Sequence, residues 1–470
     1  MEILNIKIFS PKRNQIIFLF FLAFIFRIIV GFTFNPEYFP ADGIGYYNIA
    51  VNAANGNGLS QKTEAPFIPM FSREPAYPVF LMAGLRLFGL FGGDFDYMYL
   101  DTYNLEDSTL SVIPASVKFL RIWQALFDSA SVILIFLILI HVVNRDKAFF
   151  IAVLYALFLP VAAHCNILYR EVFQTFILLL MNFFLIKYFF TRKTYFLVLT
   201  GFFWAASNMT LYATLALLPF IFLFILTESG SFKNAVTKTF IISFVMIVSV
   251  LPWYMYVYSY YPDIRIVKSG ASAVTHEWRD YYSAHIKANE VGLISDSELR
   301  TFFHEKAYNR PYYEYFDKSF NGYYTSQADS LKKLIKASTQ DISFGKKSLQ
   351  TFLKYSKFSI KNFWIKRNWG YPPPLKIFDY YLNNRIFLPF ILYAFSTLFA
   401  AICFLGFLRY WRKLWPILCI FISFLGISFI IGTEARRFLP AYPYVFTFGI
   451  LMLIDIYDYL KMRSINSKSA

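Results

Sequence analysis

Charge and cysteine are scarce in this chain. Of its 470 residues only 16% are Asp, Glu, Lys or Arg, while 57% are hydrophobic and 21% aromatic, a balance outside the range of ordinary water-soluble domains. The three cysteines are Cys165, beside an apolar run, and Cys403 and Cys419, each inside one, so neither a disulfide framework nor a CxxC redox or metal site is available. No Walker loop, GxGxxG turn, HExxH or GxSxG occurs, which removes the usual sequence marks of nucleotide hydrolysis, dinucleotide redox chemistry and zinc proteolysis. A small-residue cleavage site is also missing after the first apolar run. That run follows Lys7, Lys12 and Arg13 and continues past Arg27 to Phe34, so it is expected to be a retained signal-anchor helix.

Long apolar runs are what the chain has instead. They fall at 16–34, 118–142, 148–164, 171–190, 194–207, 211–227, 238–258, 386–408, 414–432 and 438–457, several near the roughly 20 residues that cross a hydrocarbon core of about 30 Å. The expected fold is therefore an all-α polytopic membrane protein of about ten transmembrane helices. With a cytoplasmic N-terminus, the short inside loops carry Arg145 and Lys147, Arg192 and Lys193, Lys233 and Lys238, Arg409, Arg412 and Lys413, and finally Lys461, Arg463 and Lys468. Every one is basic, as the positive-inside rule requires. Much of the net charge of +16 is thereby a mark of topology, and nucleic acid is not expected as a partner. The pair 194–207 and 211–227 is the weak point, because a single tilted helix there would reverse everything downstream.

Three regions follow: a transmembrane module over 1–258 with a first outside loop at 35–117, an extramembrane domain over 259–385, and a C-terminal transmembrane module over 386–470. In the first loop Tyr77–Phe91 is apolar all round and too short to span, which suits an interfacial or re-entrant helix buried against the bundle. The acidic residues Asp94, Asp96, Asp101, Glu106 and Asp107 lack the ordered spacing of a calcium loop and read as solvated. In the second outside region ten basic residues face one acid, Asp341, between Lys332 and Arg367. Lys347, Lys354, Lys357 and Lys361 interleave there with Leu349, Phe352, Leu353 and Phe358 at helical spacing. That pattern fits a basic amphipathic helix either on lipid headgroups or on its own domain. Gly370-Tyr371-Pro372-Pro373-Pro374 ends it.

The ionisable residues near the expected outer surface are the candidates for chemistry. Asp42 follows the first span, Arg73 lies in the same loop, Arg170 and Glu171 open the fourth span, and Glu434, Arg436 and Arg437 sit between the last two. Charges at membrane depth are expensive and are kept for pairing or for function. Together they suit transfer of a sugar from a lipid-linked phosphate: a carboxylate takes the proton of an attacking hydroxyl, and arginine forks hold the departing phosphate. Tyr46, Tyr47, Trp369 and Tyr371 could stack on sugar rings, although an interfacial aromatic belt predicts them equally well.

At these residues the chain also resembles the GT-C superfamily, in particular bacterial enzymes similar to protein O-mannosyltransferases and aminoarabinose transferases. The resemblance lies in Asp42-x-x-x-Tyr46-x-x-x-Ala50, in the stretch from Arg73-Glu-Pro-Ala-Tyr77 to Gly89, in Leu251-Pro252-Trp253 and in Glu434-Ala-Arg-Arg-Phe-Leu-Pro-Ala-Tyr-Pro443. It implies Asp42 as the catalytic base. Many members carry an Asp-Glu pair where this chain has Asp42-Gly43, and Glu171 is the candidate for the second carboxylate. Arg73, Arg170, Arg436 and Arg437 are the expected ligands of the donor phosphate, and Tyr46 and Tyr77 contacts of the sugar or acceptor. A divalent metal stays open, since some members use one and others do not. The expected function is an inverting glycosyltransferase using a polyprenyl-phosphate sugar and a glycolipid, polysaccharide or protein acceptor, at the exterior face of a bacterial-type inner membrane. A transporter or flippase of a lipid-linked saccharide is the alternative, as is an envelope polysaccharide polymerase or ligase. A flippase leaves Asp42 without a role and would favour repeated halves, which are not visible.

Overall fold

The computed structural model describes residues 11–33, 39, 41–60, 63–65, 67, 69, 73–98, 103–104, 109–110, 112–260, 398, 401–410, 440 and 442–468. Asp101, Glu106, Asp107, residues 261–385 with the expected 347–364 helix, Trp369 and Tyr371, the span at 414–432, and Glu434, Arg436 and Arg437 lie outside the described residues.

The described chain is helical apart from one minimal ladder. The helices are α1 (Arg13–Thr33), α2 (Ala41–Ala54), α3 (Ala76–Leu90), α4 (Ala115–Leu139), α5 (Arg145–Ala156), α6 (Leu159–His164), α7 (Arg170–Thr191), α8 (Tyr195–Asn208), α9 (Leu218–Ser229, after a 3-10 turn at Tyr212–Leu217), α10 (Phe232–Tyr260), α11 (Ala401–Tyr410) and α12 (Tyr442–Lys468). Tyr103–Asn104 pairs antiparallel with Thr109–Leu110, a two-residue departure from the all-α expectation. Among the described residues four helices are long and apolar enough to cross a membrane: α1, α4, α7 and α10. The chain is an integral membrane protein; the count of about ten spans reaches beyond the described residues.

Position in the bundle follows from which faces are apolar. α4 and α7 are the most buried of the four long helices, whereas α1 and α10 turn rows of Phe, Ile and Val outward, the surface expected toward lipid. The run 148–164, expected as one span, is two helices. α5 closes at Ala156, and Pro160, which has no N–H to give, sits in the first turn of α6. α8 and α10 approach so closely that a Cβ at Gly201 would lie 2.5 Å from the Ile242 carbonyl oxygen.

The chain between α1 and α4 contributes to a second apolar core. Phe39, Tyr47, Tyr77, Phe80 and Leu81 pack with Leu120 of α4 and Leu168 and Phe173 around the start of α7. α3 is the short apolar helix expected from the sequence, with Tyr77, Phe80, Leu81 and Leu85 inside and Val79 and Leu90 outside. Asn48 of α2 pins the following segment by bonding both backbone groups of Met98, and Tyr97 donates to Asn52 at 2.6 Å. Asp94 and Asp96 are exposed on that segment, as the solvated reading requires.

The ends of the helices sort into two groups. Gly31 abuts Asn166, Gly43 abuts Leu168, Ala76 bonds Met209, and Gly58 lies by Tyr256 at one end. At the other, Lys147 pairs with Asp458, Arg409 with Asp455, and Lys238 lies over the Tyr188 ring.

Candidate functional site

The site assembles where α2, α3, α4, α7 and α8 end together. The short stretch Arg73–Ala76 is the knot. Arg73 sends its guanidinium over the Tyr46 ring, 4.4 Å from the centroid, while the next residue, Glu74, pairs with Arg170 at the first turn of α7. Two residues on, the Ala76 amide donates to the Met209 carbonyl at 3.0 Å, just past the end of α8. Arg170 also donates to the Thr210 carbonyl at 3.4 Å. One four-residue segment thereby ties three helices.

Beneath Arg73 the support is aromatic. Tyr46 and Tyr77 meet edge to face at 5.0 Å, and Tyr77 stacks further on Phe80. Tyr77 is 0% exposed and donates its hydroxyl to Gln124 of α4 at 2.7 Å. Gln124 in turn donates to the carbonyls of Cys165 and Ile167, in the turn that leads into α7. Burial pushes the Tyr77 phenol well up, helped by Tyr46 and by the negative charge of Glu171. It is a fixed donor and not a base. Tyr47 behaves alike: burial raises it to about 12, and its hydroxyl shares a 2.7 Å bond with Ser116.

Glu171 lies at the start of α7, 8% exposed, close enough to Tyr77 to influence its proton. Its Oε2 is buried and has no hydrogen-bond partner among the described residues. A carboxylate held this way needs a donor from elsewhere, from water or from a ligand. One turn along, Gln174 donates to Ser207 at 2.7 Å, so polar groups continue down the α7–α8 seam.

Asp42 is placed by its backbone. It stands in the first turn of α2, four residues before Tyr46 and therefore on the same helix face. At the next residue, Gly43, a Cβ would sit 3.1 Å from the Phe39 ring and 3.5 Å from the Leu168 carbonyl oxygen. The start of α2 is consequently packed on the segment that carries Arg170 and Glu171.

Of the residues singled out from the sequence, Arg73, Tyr46, Tyr77, Arg170 and Glu171 come together, and the backbone of Asp42 adjoins them. Arg436 and Arg437 lie outside the described residues. Tyr46 and Tyr77, expected at a sugar, are packed into the wall beneath Arg73. Glu74 and Gln124 are site residues that sequence reasoning passed over. Glu74 adjoins Arg73 in the motif and was open to notice; Gln124 is one of several polar residues of α4, and only the fold supplies its partners. Among the described residues no three His, Cys, Asp or Glu side chains converge as metal ligands.

No protein-family model matches the chain, and no curated protein does. Solved structures do. The archaeal oligosaccharyltransferase AglB from Archaeoglobus fulgidus, in complex with an inhibitory peptide and a dolichol-phosphate, is similar with a TM-score of 0.50 at 13% identity. The alignment covers 97% of this chain and 52% of AglB, so the chain spans about half the length of that relative. ArnT from Cupriavidus metallidurans, bound to undecaprenyl phosphate, matches with a TM-score of 0.40 at 11% identity, over 94% of this chain and 77% of ArnT. AglB and ArnT are both polytopic glycosyltransferases of the GT-C superfamily. At such low identity the likeness to AglB is one of fold.

Proposed function

We propose that this protein is an inverting glycosyltransferase that moves a sugar from a polyprenyl-phosphate donor to an acceptor hydroxyl on the non-cytoplasmic face of the membrane. The observation that carries the reading is the convergence of Arg73, Arg170 and Glu171 beside the first turn of α2, where Asp42 stands. The shared fold adds support, because AglB was solved with a lipid phosphate, a dolichol-phosphate, in place.

In the reaction Asp42 accepts the proton of the acceptor hydroxyl as its oxygen attacks the anomeric carbon. The bond from that carbon to the phosphate oxygen breaks, and the phosphate leaves with the electron pair. Arg73 and Arg170, with Arg436 and Arg437, stabilise the charge that develops there, so no strong general acid is required. Glu171 is the second carboxylate, its buried oxygen open to a donor group of the substrates. Tyr46 and Tyr77 hold Arg73 in register. One displacement inverts the anomeric centre.

Asp42→Asn tests the assignment. It keeps shape and hydrogen bonding but removes the proton acceptor, so sugar transfer from the lipid-phosphate donor should fall by roughly 10²–10⁴-fold. Expression and membrane insertion should be retained. If Asp42 only stabilises the first turn of α2, its loss costs about 0.3–1 kcal/mol of stability and leaves transfer nearly unchanged, which would reject the catalytic role.

A further inference from the structure

Glu74 belongs to none of the roles above, yet it is the more deeply placed half of an ion pair inside the site. Its side chain is 2% exposed, whereas Arg170 retains 20%. The pair is thus lopsided, with a carboxylate sealed in the protein and an arginine side chain that stays partly exposed. We infer that Glu74 is a positioning residue, which fixes the Arg170 guanidinium at the start of α7 so that it can receive the phosphate of a polyprenyl-phosphate lipid.

The geometry supports this on three counts. A guanidinium carries its N–H donors in a rigid fork, so an anchor on one terminal nitrogen orients the whole plane. Arg170 donates through Nη1 to the Glu74 carboxylate and to the Thr210 carbonyl. The anchor itself cannot drift, because Glu74 lies between Arg73, stacked on Tyr46, and Ala76, bonded to Met209. An unanchored arginine would spend rotamer entropy on binding. Anchoring removes much of that cost in advance.

The inference rests on the lipid-phosphate reading of the site, and its test separates the two. Full-length protein in nanodiscs is titrated with undecaprenyl phosphate, and with the neutral polyprenol as control. Wild type should bind the phosphate saturably and in preference to the alcohol. Arg170→Ala and the near-isosteric Glu74→Gln should each weaken binding by roughly tenfold or more, the scale of losing or misdirecting a charge-assisted contact to the phosphate. A Glu74→Gln protein with a lowered thermal midpoint and an unchanged Kd would overturn the inference and leave the functional reading standing. The exchange variant Glu74→Arg with Arg170→Glu keeps a pair but moves the cation into the buried place. It should regain much of the midpoint and still fail to bind, and decides the matter if Glu74→Gln does not fold. Wild-type binding by the exchange variant would overturn the inference. No saturable binding by wild type would remove the functional reading and the inference with it.

Discussion

Arg27 of α1 and Asp128 of α4 form an ion pair with side chains 0% and 1% exposed. Arg27 also donates to the Ala156 carbonyl at 2.9 Å, where α5 has ended and its last carbonyls have lost their helical donors. Asp128 receives the Cys165 thiol at 3.5 Å. Breaking such a pair from one side leaves a buried charge without compensation. Arg27→Met should therefore cost about 3–5 kcal/mol of stability, read as a lower thermal midpoint in detergent. Adding Asp128→Leu should recover most of the loss; a double variant no better than the single would refute this account. Both residues stand out in the sequence as charges within apolar runs, but 101 positions separate them and nothing local pairs them.

Helix contacts depend on a few small residues. A Cβ at Gly201 of α8 would meet the Ile242 oxygen of α10 at 2.5 Å, and one at Gly406 of α11 would meet the Phe448 oxygen of α12 at 2.1 Å. Backbone cannot yield as a side chain tip does. Gly201→Ala and Gly406→Ala should each destabilise by about 1–3 kcal/mol, with the same change at the open Gly56 as a contrast that is strained only by its positive φ of 85°. Normal melting of both would mean that these helices do not approach as described. The short helix α3 was legible because length and composition alone exclude a span. The α5–α6 break was not, since Pro160 lies in an apolar run that reads as continuous and proline is tolerated within membrane helices.

For the molecule as a whole the testable property is orientation. Which end of the bundle faces the cytoplasm rests on the basic loops, while the grouping of helix ends rests on contacts. Single cysteines at Asn55 and Asn234, both exposed and at opposite ends, should separate under an impermeant maleimide: Asn55→Cys labels in intact cells, and Asn234→Cys only after permeabilisation. Of the three native thiols Cys165 and Cys403 are buried and should stay silent, and Cys419 is changed to serine in both variants. Labelling in the reverse order would invert the protein and place the site on the cytoplasmic side.

The sequence by itself determined the membrane character, the helical class and the choice of Asp42, Arg73, Arg170 and Glu171, because hydropathy and the cost of buried charge are properties of single residues and short windows. The tertiary structure decided which of those charges meet. Glu74 finds Arg170 across 96 positions, and Tyr77 finds Gln124 across 47. A buried carboxylate or phenol must have a partner, yet its own sequence neighbourhood does not say which one. That is settled by the helix ends that packing brings within about 3 Å of it.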